Sequence, residues 1–144
     1  MRAQNRLSMQ PLAIRVRSRK RIVAESESEL HAALTIAEEE ADRAGTMGLV
    51  DFEAANGNRL SMLVGGEETA LSWRYPGDTE PRFLSQGDPS ATGGIPCSRD
   101  FNNRVDCPRW SLIPRADGLA ALDEFAASNE IPEAVQWADY APPR

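Results

Sequence analysis

The sequence predicts an α+β fold: an antiparallel β-meander sheet covered by helices, with a C-terminal helix and a closing strand. Three patterns carry that prediction. Apolar residues recur at steps of three and four from Leu30 to Ala41 and from Leu119 to Ala126, the spacing of one helix face. Between these segments lie runs of period two: Val50, Phe52 and Ala54, then Leu60, Met62 and Val64, then Leu71, Trp73 and Tyr75. After Pro132 the period is again two, with Val135 and Trp137 on one side, Gln136 and Tyr140 on the other. One apolar face per strand means a sheet covered on one side.

Residues 1–11 are polar, unpatterned and closed by Pro11. Leu12, Ile14 and Val16 then alternate with Ala13, Arg15 and Arg17, and Ile22-Val23 follow a basic cluster, which suits a strand or hairpin arm. Residues 1–24 are thus expected to be a basic leader or possible edge strand, and residues 25–144 a single domain. A charged edge strand discourages pairing with other chains. A length of 144 residues suits one core burying roughly two-thirds of the unfolded surface.

The first helix starts at Ser26, where Ser26 and Glu29 make a capping box that satisfies backbone donors left open at a helix N-terminus. Leu30, Ala33, Leu34, Ala37 and Ala41 form its buried stripe, and Gly45 is a left-handed terminator. Glu38, Glu39, Glu40 and Asp42 crowd its C-terminal half, where the helix dipole disfavours negative charge. They suit a solvated face or a contact surface for a basic partner. In the meander, Asn56-Gly57 marks a hairpin turn needing positive φ, Gly65-Gly66 turns again, and Pro76-Gly77 precedes a fourth strand begun by Arg82-Phe83-Leu84.

From Gln86 to Arg109 no period is sustained, and Gly87, Pro89, Gly93, Gly94, Pro96 and Pro108 interrupt the chain. A loop of that length in a compact domain is expected to be functional or disordered. Pro114 then suits the first turn of the second helix, Asn129 can close it in a left-handed conformation, and Pro132 prevents its restart. Gly118 inside that helix costs up to about 1 kcal/mol against alanine, so a start at Asp117 is the alternative.

Charge is unevenly placed. Residues 1–24 hold seven of the 16 basic residues and no acid, whereas residues 25–144 hold all 22 acids against nine bases. The domain therefore carries a formal charge of about −13, within a whole-chain value of −6. Such a body repels nucleic acid and attracts basic partners. The basic N-terminus is followed by no apolar stretch of signal-peptide length, and no run is long enough to cross a bilayer, so the cytoplasm is the expected location.

No arrangement of catalytic residues stands out. Cys97 and Cys107 lie ten apart and His31 is the only histidine, which misses the usual zinc spacings and gives no sign of a Cys–His nucleophile. Gly65-Gly66 is followed by Glu67-Glu68, which would repel a phosphate. The expectation is a non-enzyme without cofactor or metal, its cysteines reduced in the cytoplasm.

The C-terminal stretch adds a resemblance. Ile113-Pro114, the Ala120-Ala121-Leu122 run, Glu124-Phe125, Ile131-Pro132 and Val135-Gln136-Trp137 reproduce the order helix, short turn, Ile-Pro, then a strand with a hydrophobic residue two before a tryptophan. This resembles the C-terminal signature of the Imm-one family, immunity proteins of bacterial polymorphic toxin systems that often stand beside deaminase-fold toxins. Phe83-Leu84-Ser85-Gln86-Gly87, followed by Ser90-Ala91-Thr92-Gly93-Gly94, is also similar to immunity proteins of deaminase toxins, so the likeness covers roughly residues 48–140. It implies a chain that binds a cognate toxin one-to-one and blocks it, with core rather than contact roles for the signature residues.

Charge and loop position nominate the contacts: Glu67, Glu68, Asp78, Glu80, Asp88, Asp100, Asp106 and Trp110. Taken singly, each is better read as an ordinary solvated surface residue. The alternative reading is a nucleic-acid-binding or regulatory module using the basic N-terminus, although no aromatics are interleaved there to stack bases. A hydrolase or transferase using Cys97, Cys107 and His31 is the third.

Overall fold

Ser26 begins the first helix as its sequence requires. Its side chain accepts a hydrogen bond from the Glu29 amide at 3.2 Å, while the Glu29 carboxylate reaches back to the Glu25 amide at 2.7 Å. Helix α1 spans Glu27–Ala44 and ends at Gly45 with φ 69°. Leu30, Ala33, Leu34, Ala37 and Ala41 are all buried. The computed structural model describes residues 9–16, 21–98, 104–141 and 143.

The strands are β1 (Leu12–Val16), β2 (Ile22–Ala24), β3 (Met47–Ala54), β4 (Arg59–Val64), β5 (Glu68–Thr69), β6 (Leu71–Arg74), β7 (Phe83–Ser85), β8 (Gly94–Ser98), β9 (Arg104–Pro108), β10 (Ile113–Pro114) and β11 (Trp137–Asp139). A 3₁₀ turn covers Arg109–Ser111 and helix α2 covers Arg115–Ser128. Among the described residues the main sheet runs β11-β7-β6-β4-β3-β1-β2, every neighbour on that path antiparallel. The fold is thus α+β, an open antiparallel sheet with two helices. Residues 12–16 are an interior strand rather than an edge: β1 pairs with β3 from Leu12↔Ala54 to Val16↔Val50, and Leu12, Ile14 and Val16 are at most 1% exposed. The edge falls to β2. Arg17, Arg19, Lys20 and the arginines of residues 1–8 lie outside the described residues.

Alternation does its work on the helix-covered face. Val50, Phe52, Ala54, Leu60, Met62, Val64, Leu71 and Trp73 join the α1 stripe and Ala121, Leu122, Phe125 and Ala126 of α2 in one core. Trp73 is its hub, with Phe125 edge-on at 5.4 Å, Tyr75 edge-on at 5.7 Å and Trp137 tilted at 6.5 Å. Arg115 bonds Glu38 at 2.7 Å and His31 meets Asp123 at 3.2 Å, so the two helices also touch each other.

Two expectations need correction. The stretch 86–109 is not simply a loop: β8 and β9 pair from Gly94↔Pro108 to Ser98↔Arg104, and β8 runs parallel to β3 at Met47 and Gly48, beyond the end of β1. Glycine and proline hide this pair from a periodicity reading, because its support comes from backbone pairing with a distant strand. The closing strand is also shorter than expected. The Glu124 carboxylate binds the amides of Glu133 and Ala134, holding that segment in a turn, and pairing with β7 starts only at Trp137. Helix α2, for its part, starts at Arg115 rather than at Asp117.

Candidate functional site

The helix-free face of the sheet carries what the core excludes. Ser72 and Arg74 alternate with Leu71 and Trp73 and so point away from the helices, as do Leu49 on β3 and Leu84 on β7. On part of this face the β8–β9 pair and the 3₁₀ turn cover a second apolar cluster of Leu49, Leu63, Ala70 and Cys97, with Met47, Cys107 and Leu112 packed against it. The Cys97 and Cys107 sulfurs are 3.2 Å apart. Gly87 permits the closure, since its amide donates to the Trp110 carbonyl at 2.7 Å and a Cβ there would lie 1.9 Å from the Leu112 oxygen.

Beside this cover the face stays open as a groove of about 430 Å³. Leu49, Ala70, Ser72, Arg74 and Leu84 form its floor; Val105, Asp106, Cys107 and Pro108 form one wall; Leu71, Thr79, Glu80, Pro81, Ser111 and Tyr140 contribute the rest. Ser85 fixes the groove to the 3₁₀ turn: its hydroxyl accepts from the Leu71 amide at 2.9 Å and donates to the Ser111 carbonyl at 2.8 Å. Tyr140 is held by its amide, which donates to the Arg82 carbonyl at 3.2 Å. Val105 and Tyr140, two of the large apolar side chains left exposed, both line the groove.

A smaller hollow of about 140 Å³ continues the face towards β1 and is lined by Arg15, Arg21, Asp51, Glu53, Arg59, Ser61 and Arg74. Ser61 hydrogen-bonds Asp51 there. The described arginines of the N-terminal region thus share their hollow with two carboxylates and two further arginines.

The structure divides the eight nominated residues. Glu80 and Asp106, exposed and 26 positions apart, line the same groove. Asp78 lies in the turn beside Glu80, but its carboxylate accepts from the Tyr75 amide at 2.9 Å and from Arg82 at 2.8 Å. Those bonds, the amide first and then Arg82, hold it below the usual carboxylate range. Asp88 is lowered likewise by the hydroxyl and amide of Ser90, an Asx turn in the 86–93 loop. Glu67 and Glu68 are elsewhere, where the Glu67 carbonyl accepts from the Arg115 amide and Glu68 pairs with Pro114 ahead of α2. Acids suit the start of a helix. Trp110 is only 3% exposed and packs inward. Asp100 lies outside the described residues.

Sequence reasoning missed Arg74, Leu84, Val105 and Tyr140 as neighbours. The phase of β6 and β7 could have put Arg74 and Leu84 on the outer face, but Val105 enters only through the β8–β9 pairing. His31 lies between the helices, whereas Cys97 and Cys107 lie across the sheet; these three side chains do not form one site. No group of three potential metal ligands occurs among the described residues.

The profile of the family described as Immunity protein Imm1 matches residues 18–139, from the approach to β2 through β11. The chain belongs to the Imm1 immunity protein family. The match takes in α1 and β2 as well as the C-terminal signature. Membership carries a toxin-immunity role with a cognate toxin protein as partner, in a family that is generally non-enzymatic. No curated protein matches the chain. Among the described residues of this Imm1 chain, no helix is long and apolar enough to cross a membrane.

Proposed function

We propose that this Imm1 protein neutralises a nucleic-acid deaminase-type toxin by binding it one-to-one in the cytoplasm and covering its active site. The family match over residues 18–139 carries the immunity role. The charge of the chain supports the rest: a toxin acting on nucleic acid presents a positive surface to phosphates, and a chain of net charge −6, whose residues 25–144 alone carry about −13, is attracted to it. Occlusion needs no chemistry from the immunity protein itself. Glu80 and Asp106 are the nominated acids best placed for contact, because their carboxylates are exposed beside an open apolar groove.

The test is co-expression with the toxin domain encoded beside this chain. The wild-type chain restores growth and co-purifies with the toxin. Restored growth without any detectable complex contradicts blocking and favours the enzyme reading. The nucleic-acid alternative is tested by neutralising Arg15 and Arg21 to glutamine, since deleting residues 1–24 would remove β1 and β2 from the sheet. Protection survives those substitutions if the acidic body is the binding element.

A further inference from the structure

We infer that the groove on the helix-free sheet face is the socket for the toxin, and that its occupant is a toxin loop carrying an apolar side chain next to a lysine or arginine. The inference rests on the immunity reading above. The volume of about 430 Å³ is within the range of sites that enclose a ligand or a few large side chains. Apolar surface continues out of the cavity onto its rim, because Val105 is 36% and Tyr140 43% exposed. A flat continuation of that kind matches a protein loop lying across the mouth with one anchor inserted, as in the central pocket of an interface.

Charge selects the chemistry of the loop. Glu80 from the β6–β7 turn and Asp106 from β9 are exposed on the lining, whereas Arg74, the cation among the described lining residues, is 7% exposed on the floor. A basic side chain arriving at the mouth therefore meets carboxylates before it meets the guanidinium. Several acids elsewhere on the described surface are already engaged. Glu38 is engaged with Arg115, Asp78 with its own turn and Asp88 with Ser90. The other exposed large apolar side chains, Val23 on β2 and Ile36 on α1, do not line the groove. Small basic molecules could enter the groove, but only a protein loop would use the exposed rim as well.

The experiment measures binding of the adjacent toxin domain, made catalytically inactive, to the purified chain. Glu80→Lys with Asp106→Lys slows association by about tenfold or more, and Val105→Arg with Tyr140→Ala speeds dissociation by about tenfold or more. Ile36→Arg with Glu39→Lys, the matching pair on α1, changes either rate by less than about twofold. All six positions are exposed or nearly so, and thermal unfolding of the free variants confirms that they fold. Hydrogen exchange on the wild-type complex gives an independent reading, with new protection over residues 79–84 and 105–108. Unchanged rates in the groove variants, or protection confined to α1, overturn the socket while leaving the immunity reading intact. A wild-type chain that forms no complex overturns both.

Discussion

Gly118 sits in the first turn of α2, where helix propensity alone would favour alanine by about 1 kcal/mol. Packing reverses that preference. A Cβ at this position would lie 2.4 Å from Thr69 Cγ2 and 3.3 Å from Met62 Cε, and Thr69 is pinned by its hydroxyl bond to the Leu63 carbonyl at 2.7 Å. Gly118→Ala should therefore destabilise the protein by about 1–3 kcal/mol in denaturant unfolding. Adding Thr69→Ser, which keeps the hydroxyl and removes the methyl, should recover much of the loss; a more stable Gly118→Ala protein would show that α2 does not approach β5 so closely. Asp78 makes a prediction in pH. Its folded pKa is lowered from 3.8, so its contribution is present above that value and is lost as pH falls through the lower folded value. Asp78→Asn should abolish that part of the acid sensitivity, seen as a smaller drop in thermal midpoint below about pH 4. Neither role could be read from the sequence, since Gly118 looks like a helix defect and Asp78 like a free surface acid until their neighbours are known.

The clasp between α2 and the β3–β4 turn joins two elements that were legible separately. Asn129 ends α2 at φ 59°, and its carbonyl accepts from Asn58 Nδ2 at 2.9 Å and Asn56 Nδ2 at 3.1 Å. The Asn-Gly turn and the left-handed Asn129 are local conformational preferences, so the sequence displays both; their meeting across 71 positions is tertiary and it does not. Asn58→Ala leaves a buried acceptor with one partner fewer and should cost about 1–3 kcal/mol, measured by chemical denaturation. Strand β11 behaves the same way. Trp137 was legible as an inward aromatic, yet it is only partly buried, with its indole N–H bound to the Pro132 carbonyl at 2.8 Å. Trp137→Ala should cost about 2–3 kcal/mol, less than the ~3–5 of a fully enclosed aromatic. A folded Trp137→Ala protein that fails to bind toxin would instead put β11 in the interface. The β8–β9 pair was illegible because Pro96, Pro108 and Gly94 break the alternation and its anchor is the distant start of β3.

At the scale of the molecule, burial and charge divide the chain between a covered sheet face and an open one, which the proposal assigns to the toxin. Period-two strands and two helix stripes made the covered face readable, because burial imposes a pattern on sequence. The open face obeys no such pattern, and of the nominated residues that are described only Glu80 and Asp106 meet at the groove. A standard interface covers about 800 Å² per partner, roughly a tenth of the 7803 Å² accessible surface of this chain. That area suffices for nanomolar binding, about −12 kcal/mol, when a few anchors are well packed. With the whole chain at −6 and residues 25–144 at about −13, association should slow by at least about tenfold as salt rises from ~0.02 to ~0.5 M, while dissociation changes little. The most direct test of the proposed blocking is to titrate the chain into its active toxin domain and follow turnover of the nucleic-acid substrate that the proposal assigns to the toxin. Activity should fall linearly and reach zero at one chain per toxin; a toxin that stays active while saturated with bound chain would contradict occlusion of its active site.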